Sequence, residues 1–183
     1  DATMAGDLRE GLLGSYAPDY AWTSGDGVPG VEQIFGGHGF QKREVREDHA
    51  PIHPSLALLM ATSGSTGSPK YVRLTLLNLE SNAGSIARYL NISRDDRPVT
   101  SLPIHYSYGL SVLNSHLRVG ATVLLTSLSV TNRRFWEFFN ESCCTSMAGA
   151  PYTYEMLRQL RFENMTLPTL RYMTQAGGRL SPE

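Results

Sequence analysis

Thr62-Ser63-Gly64-Ser65-Thr66-Gly67-Ser68-Pro69-Lys70 separates an apolar run, Leu56-Ala57-Leu58-Leu59-Met60, from an alternating one, Tyr71-Val72-Arg73-Leu74-Thr75. Two strands joined by a polar, glycine-bearing loop are the reading that decides the rest. Glycines let a backbone come close to a ligand, and consecutive amides in such turns make an anion-binding concavity to which hydroxyls add donors. Lys70 supplies a point charge suited to phosphate, and Pro69 stiffens the exit by fixing φ. The loop is not a Walker loop, which needs glycine before its lysine, Ser or Thr after it and a helix beyond. Here Pro69 precedes Lys70, and Tyr71 opens a strand.

Downstream, Leu79, Ala83, Ile86, Ala87 and Leu90 recur at helical spacing, with Ser81, Asn82, Ser85 and Arg88 on the other face. This predicts an amphipathic helix with Thr75 as its N-cap. Alternating elements follow: strand Val99–Ile104, helix Leu110–Val119, strand Ala121–Thr126, helix Arg133–Asn140, strand Cys143–Ala148, helix Tyr152–Leu160 and strand Leu170–Gln175. Apolar strands separated by helices indicate an α/β fold, a largely parallel sheet with helices on both faces. Ligands of such sheets bind beyond the carboxyl ends of the strands. Pro103–Gly109, Gly149–Pro151 and Ala176–Arg179 leave strands in that direction, so they are expected to face one crevice beside the hairpin loop.

Residues 1–54 carry weak periodicity and are taken as an irregular N-terminal segment of the same domain, with short strands at Val31–Phe35 and Phe40–Arg46. Residues 55–183 are taken as the α/β core. His38, His49 and His53 follow no ordinary metal-site spacing. Of 183 residues, 41% are hydrophobic and 18% charged, the composition of a globular chain. Sixteen basic against seventeen acidic side chains give a net charge of −1. Nothing in that balance advertises nucleic acid or an anionic membrane as a general partner, and neither is expected. No apolar run approaches the roughly 20 residues of a membrane-spanning helix. Cys143 and Cys144 are adjacent in an expected strand, point to opposite faces and are read as reduced. The sequons at Asn91, Asn140 and Asn164 are read as chance, and a cytoplasmic protein is expected. The chain lacks an initial Met, and Ser181-Pro182 reads as a helix start, so a fragment with an incomplete core is expected.

The nine-residue loop closely resembles the phosphate-loop signature of the adenylate-forming (AMP-binding) enzymes, of the acyl-CoA synthetase and acyl-AMP ligase type. Two more segments are similar to that family. Leu102-Pro103-Ile104-His105-Tyr106-Ser107-Tyr108-Gly109-Leu110 resembles the strand-to-helix segment lining the acyl pocket. Ala176-Gly177-Gly178-Arg179-Leu180 resembles the glycine-rich turn that approaches adenine and ribose. One departure is plain: counting from Pro103, the family's usual His position holds Tyr106, and His105 lies one residue early.

The resemblance implies a fragment of the family's large N-terminal domain. It implies an ATP- and Mg2+-dependent ligase that activates a carboxylic acid as acyl-AMP, releases pyrophosphate, and transfers the acyl group to the thiol of CoA or of a phosphopantetheine carrier protein. Thr62, Ser63, Gly64, Ser65, Thr66 and Gly67 are then expected around the phosphates, with Thr66 as the magnesium partner and Thr66 and Lys70 as the catalytic pair. Gly177, Gly178 and Arg179 are expected at the nucleotide, and Tyr106, Tyr108 and Gly109 at the substrate pocket. No acidic partner for a substrate amine stands in Tyr106–Leu110, which favours fatty or other acyl acids over amino acids. The family's Tyr-Gly-x-Thr-Glu segment would follow Glu183, so the isolated fragment is expected to be inactive. The competing classes are a catalytically silent adenylation-like binding or scaffolding domain and a secreted, glycosylated binding domain.

Overall fold

The computed structural model describes residues 6–16, 18–24, 31–35, 38–42, 51–61 and 70–179. The chain divides into two compact units, Asp1–His53 and Pro54–Glu183. In the first, helix α1 (Gly6–Tyr16) precedes three strands, β1 (Tyr20–Ser24), β2 (Val31–Phe35) and β3 (His38–Lys42). They form an antiparallel sheet in the order β1-β3-β2, with Tyr20 opposite Lys42 and Val31 opposite Gln41. Strand β2 lies where its composition predicts it. Strand β3 starts two residues before the expected Phe40, and residues 43–46 of that expectation lie outside the described residues, as does His49.

The second unit opens with an antiparallel hairpin of β4 (Leu56–Ala61) and β5 (Tyr71–Thr75), whose last paired residues are Ala61 and Tyr71. Helix α2 (Leu76–Tyr89) follows with no linker. Thr75 is its N-cap: the hydroxyl accepts from the Asn78 amide at 3.1 Å, and the Asn78 side chain accepts from the Thr75 amide at 3.0 Å. This reciprocal capping satisfies two amides that a helix start otherwise leaves orphaned. Ala83 and Ala87 are the buried positions of α2, on the face its periodicity predicts.

Helices α3 (Ser107–Arg118), α4 (Arg133–Glu141) and α5 (Pro151–Gln159) alternate with strands β6 (Ser146–Gly149) and β7 (Tyr172–Gln175), which pair in parallel. The alternation is the one predicted, but two expected strands shorten to single bridges, Pro98 with Ser146 and Val99 with Leu124, both parallel. The spatial order is therefore Leu124, Val99, β6, β7. Hydroxyls explain the shortening. The Thr126 amide donates to the Thr100 hydroxyl at 3.0 Å, and the Ala148 amide donates to the Ser101 hydroxyl at 3.3 Å, in place of backbone ladder partners. Pro98 and Pro103 bracket the segment, and proline has no N–H to give a ladder.

The expected strand Cys143–Ala148 is also corrected: it begins at Ser146. Cys143 has φ 51° and ends the turn after α4, its amide donating to the Asn140 carbonyl at 3.0 Å. Both cysteines are free thiols, Cys143 exposed and Cys144 buried, and burial pushes the Cys144 thiol up to about 11. The core cluster contains Val99, Phe135, Phe139, Met147 and Leu157. Phe135 and Phe139 are one helical turn apart on α4 and fully buried.

Gly109 sits in the first turn of α3, where a Cβ would fall 2.2 Å from the Pro103 carbonyl oxygen. Since the obstacle is backbone, it cannot rotate aside. Gly109→Ala is expected to destabilise the chain by about 2 kcal/mol, read as a lowered urea midpoint. Among the described residues no helix is long and apolar enough to cross a membrane.

Candidate functional site

Among the described residues, Tyr106, Gly177 and Gly178 of the predicted site lie close together where strands end and helices begin. Tyr106 is the N-cap of α3, and its hydroxyl lies 2.8 Å from where a Cβ of Gly177 would stand. Gly177 has φ +90°, a conformation that L side chains rarely adopt. The neighbouring Gly178 faces the Pro151 ring, which a Cβ would meet at 3.1 Å. Backbone conformation therefore favours glycine at Gly177, and both positions are closely approached by side chains of the protein itself. The Gln175 side-chain Nε2 donates to the Gly178 carbonyl at 2.7 Å and closes the turn. Tyr108 reaches β7, its hydroxyl donating to the Thr174 hydroxyl at 2.7 Å. Burial pushes the Tyr108 hydroxyl up, so it remains neutral and able to donate.

Pro103–Gly109, Gly149–Pro151 and Ala176–Arg179 therefore converge. His105, the residue one place before the family position, is exposed, and Arg179 is exposed at the end of the turn. A groove of about 590 Å³ runs from Met60 and Leu74 of the hairpin, past Asn78 of α2 and Tyr108 and Ser111 of α3, to Ala176. Lys70 is exposed at the mouth of the hairpin. Thr62, Ser63, Gly64, Ser65, Thr66 and Gly67 lie outside the described residues.

The model of the AMP-binding enzyme family matches residues 15–183. The chain belongs to this family. An oxalate–CoA ligase of Arabidopsis thaliana is 30% identical over 130 residues, covering 69% of this chain and 25% of that protein. A 2-succinylbenzoate–CoA ligase of Bacillus subtilis is 44% identical over 69 residues, covering 38% of this chain and 14% of that protein. The structure of the O-succinylbenzoate coenzyme A synthetase of Bacillus subtilis in complex with AMP aligns with a TM-score of 0.59 and 31% identity, over 68% of this chain and 32% of that one. The chain spans about a quarter of the length of the first of these relatives. The fold is that of a partial N-terminal domain of an adenylate-forming enzyme, as the loop and the alternating elements predict.

The sequence did not single out Thr174 and Gln175 near the carboxyl end of β7, nor Ser146, Tyr172 and His116, which meet at the opposite, amino ends of β6 and β7. His116 carried a signal of a kind. It stands one turn after Val112 on the apolar side of α3, where a polar residue needs partners. It has them: Nδ1–H donates to the Val112 carbonyl at 2.7 Å, and Nε2 accepts from the Tyr172 hydroxyl at 3.0 Å. Burial holds the imidazole below its ordinary value, against the Val112 hydrogen bond and the charge of Asp96. The neutral ring therefore has Nδ1 protonated.

Proposed function

We propose that this chain is the nucleotide-binding part of an ATP-dependent acid–CoA ligase, which joins a carboxylate to the α-phosphate of ATP, releases pyrophosphate and passes the acyl group to the thiol of CoA. The observation that carries this reading is the family match over nearly the whole chain, with the loop's hydroxyls and lysine intact. Relatives named as CoA ligases favour CoA over a carrier-protein phosphopantetheine as acceptor. Residues 55–183 supply the core, with 1–54 as an N-terminal segment of the same domain; the family match begins at residue 15 and so supports joining them. We place the protein in the cytoplasm.

The donor set fits a polyphosphate: Thr62, Ser63, Ser65 and Thr66 offer hydroxyls, Lys70 a cation, and the loop has no carboxylate to repel an anion. The Thr66 hydroxyl would help hold a magnesium ion, which would supply charge neutralisation when bound. The loop's amides and hydroxyls stabilise the negative charge that gathers on the leaving pyrophosphate, and Lys70 adds a positive charge. Gly177, Gly178 and Arg179 border the nucleoside. Tyr106 and Tyr108 border the acyl group, where Tyr106 supplies an aromatic wall and a hydroxyl in place of imidazole, and Gly109, packed against the Pro103 carbonyl, lets the helix that carries them start close to the preceding segment.

Carboxylate-dependent ATP–pyrophosphate exchange by the full-length protein tests this. Exchange with one class of acid is expected. Silence across acetate, fatty, aromatic and amino acids, with ATP still bound, would instead favour the silent binding domain.

A further inference from the structure

A cavity of about 180 Å³ lies between α2, α3 and the β6–β7 pair. Its walls are apolar: Ile86 and Leu90 from α2, Val112 from α3 and Met147 from β6. Its polar lining includes Ser111 and Ser115 of α3, Thr174 and Gln175 of β7, and the chain from Ser146 to Tyr172 to His116. The Ser146 side chain hydrogen-bonds Tyr172, Tyr172 donates to His116, and His116 donates to the Val112 carbonyl. These donors are engaged within the protein, as are those of Ser111, Ser115 and Gln175, which donate to the carbonyls of Tyr108, Val112 and Gly178. Tyr108 lines both this cavity and the groove beside the hairpin, and Gln175 joins the cavity to the turn at Gly177 and Gly178.

Charge decides what the cavity accepts. Among the described residues, neither Lys nor Arg lines it. The adjoining cation, Arg171, is paired with Asp96. Asp96 and Arg171 act on Tyr172 with opposite signs, so the pair offers no net positive charge to a second anion at the polar end. A carboxylate there would lose water without gaining a counter-charge. Size sets the other limit, since an apolar cavity of about 150 Å³ holds one benzene ring.

We propose that this cavity is the acyl subsite and selects a compact, uncharged, ring-sized acyl group over acids bearing a second charge. The inference rests on the reading that the chain activates a carboxylic acid, with the carboxyl directed to the turn at Gly177. It names a substrate class, a benzoate-like monocarboxylate, that neither the loop nor the family match specifies.

The test compares benzoate with succinate and 4-carboxybenzoate in pyrophosphate exchange by the full-length protein. In parallel, binding of each acid is followed through the Met147 methyl resonance, for wild type and Ile86→Trp. Benzoate is expected to exceed both dicarboxylates by on the order of tenfold or more in kcat/KM and to shift the Met147 resonance. Ile86→Trp, with wild-type circular dichroism, is expected to weaken benzoate by a similar factor. Exchange that prefers either dicarboxylate would overturn the proposal and leave the ligase reading standing. If no acid supports exchange, the ligase reading fails, and the resonance alone decides the cavity. A benzoate shift lost in Ile86→Trp then supports ring binding, and an unmoved Met147 overturns it.

Discussion

Asp96→Ala is expected to lower the unfolding free energy by about 3 kcal/mol, the lower end of the range for breaking a buried ion pair. The Asp96 side chain is fully buried, and it ties together three parts of the chain. It accepts from the Ser93 amide at 2.8 Å, from the Thr145 hydroxyl at 3.0 Å and from the Arg171 guanidinium. Thr145 in turn accepts from the Arg97 amide at 2.8 Å, so losing the carboxylate loosens the start of β6 as well. The loss falls at the lower end because Arg171 is 45% exposed and can turn to water. Asp96→Asn keeps the shape and part of the bonding, and its loss should be smaller. Urea unfolding followed by circular dichroism measures both; an unchanged midpoint in Asp96→Ala would refute the assignment.

The same site sets a pH dependence. Burial pushes the Asp96 carboxyl up, but the Ser93 amide, Arg171 and Thr145 outweigh it, and the group stays below its ordinary value. A depressed carboxylate contributes its full stability above the unfolded-state value, near pH 4, and loses it as pH falls further. His116 acts at milder acidity. Its folded-state value is also depressed, so the unfolded chain takes up the proton first, and stability declines as pH falls below about 6.5. Two successive losses are therefore expected on acidification. His116→Gln should remove the first and spare the second.

Thr66→Ala is expected to slow pyrophosphate exchange by about 10²- to 10³-fold while leaving stability within about 0.5 kcal/mol. On the proposed function the Thr66 hydroxyl meets the phosphates where charge develops, so its removal weakens the transition state. Thr66→Ser retains the hydroxyl and should recover most of the rate. Lys70→Ala should also slow exchange, and its effect should shrink at high salt because a point charge is screened. A Thr66→Ala protein that exchanges at the wild-type rate would remove Thr66 from the site.

What the sequence revealed is what local pattern encodes. The hairpin and α2 follow from alternation, helical spacing and the Thr75-x-x-Asn78 cap, all within a few residues of each other. The convergence of Tyr106 with Gly177 was expected from the rule that parallel strands deliver their loops to one end. Asp96 escaped notice because it sits in a run, Ser93-Arg94-Asp95-Asp96, that looks like a solvated turn. Its partners Thr145 and Arg171 are 49 and 75 residues away. The strands at Val99 and Ala121 were overdrawn because Thr100 and Ser101 look like strand residues while their hydroxyls replace ladder bonds. Cys143 misled for a related reason: an apolar residue after a helix can turn through positive φ before the strand begins.

Thr75 is both the last residue of β5 and the cap of α2, so the chain has no slack between the loop-bearing hairpin and a wall of the cavity. An extra residue at the 75–76 junction would rotate the helix by about 100° and carry Ile86 and Leu90 away from the cavity. Added residues in the 62–69 connection need not disturb that register. Length variation among natural versions of this chain should therefore collect on one side of Thr75 and stop there, making that threonine a boundary for evolutionary drift as well as for secondary structure.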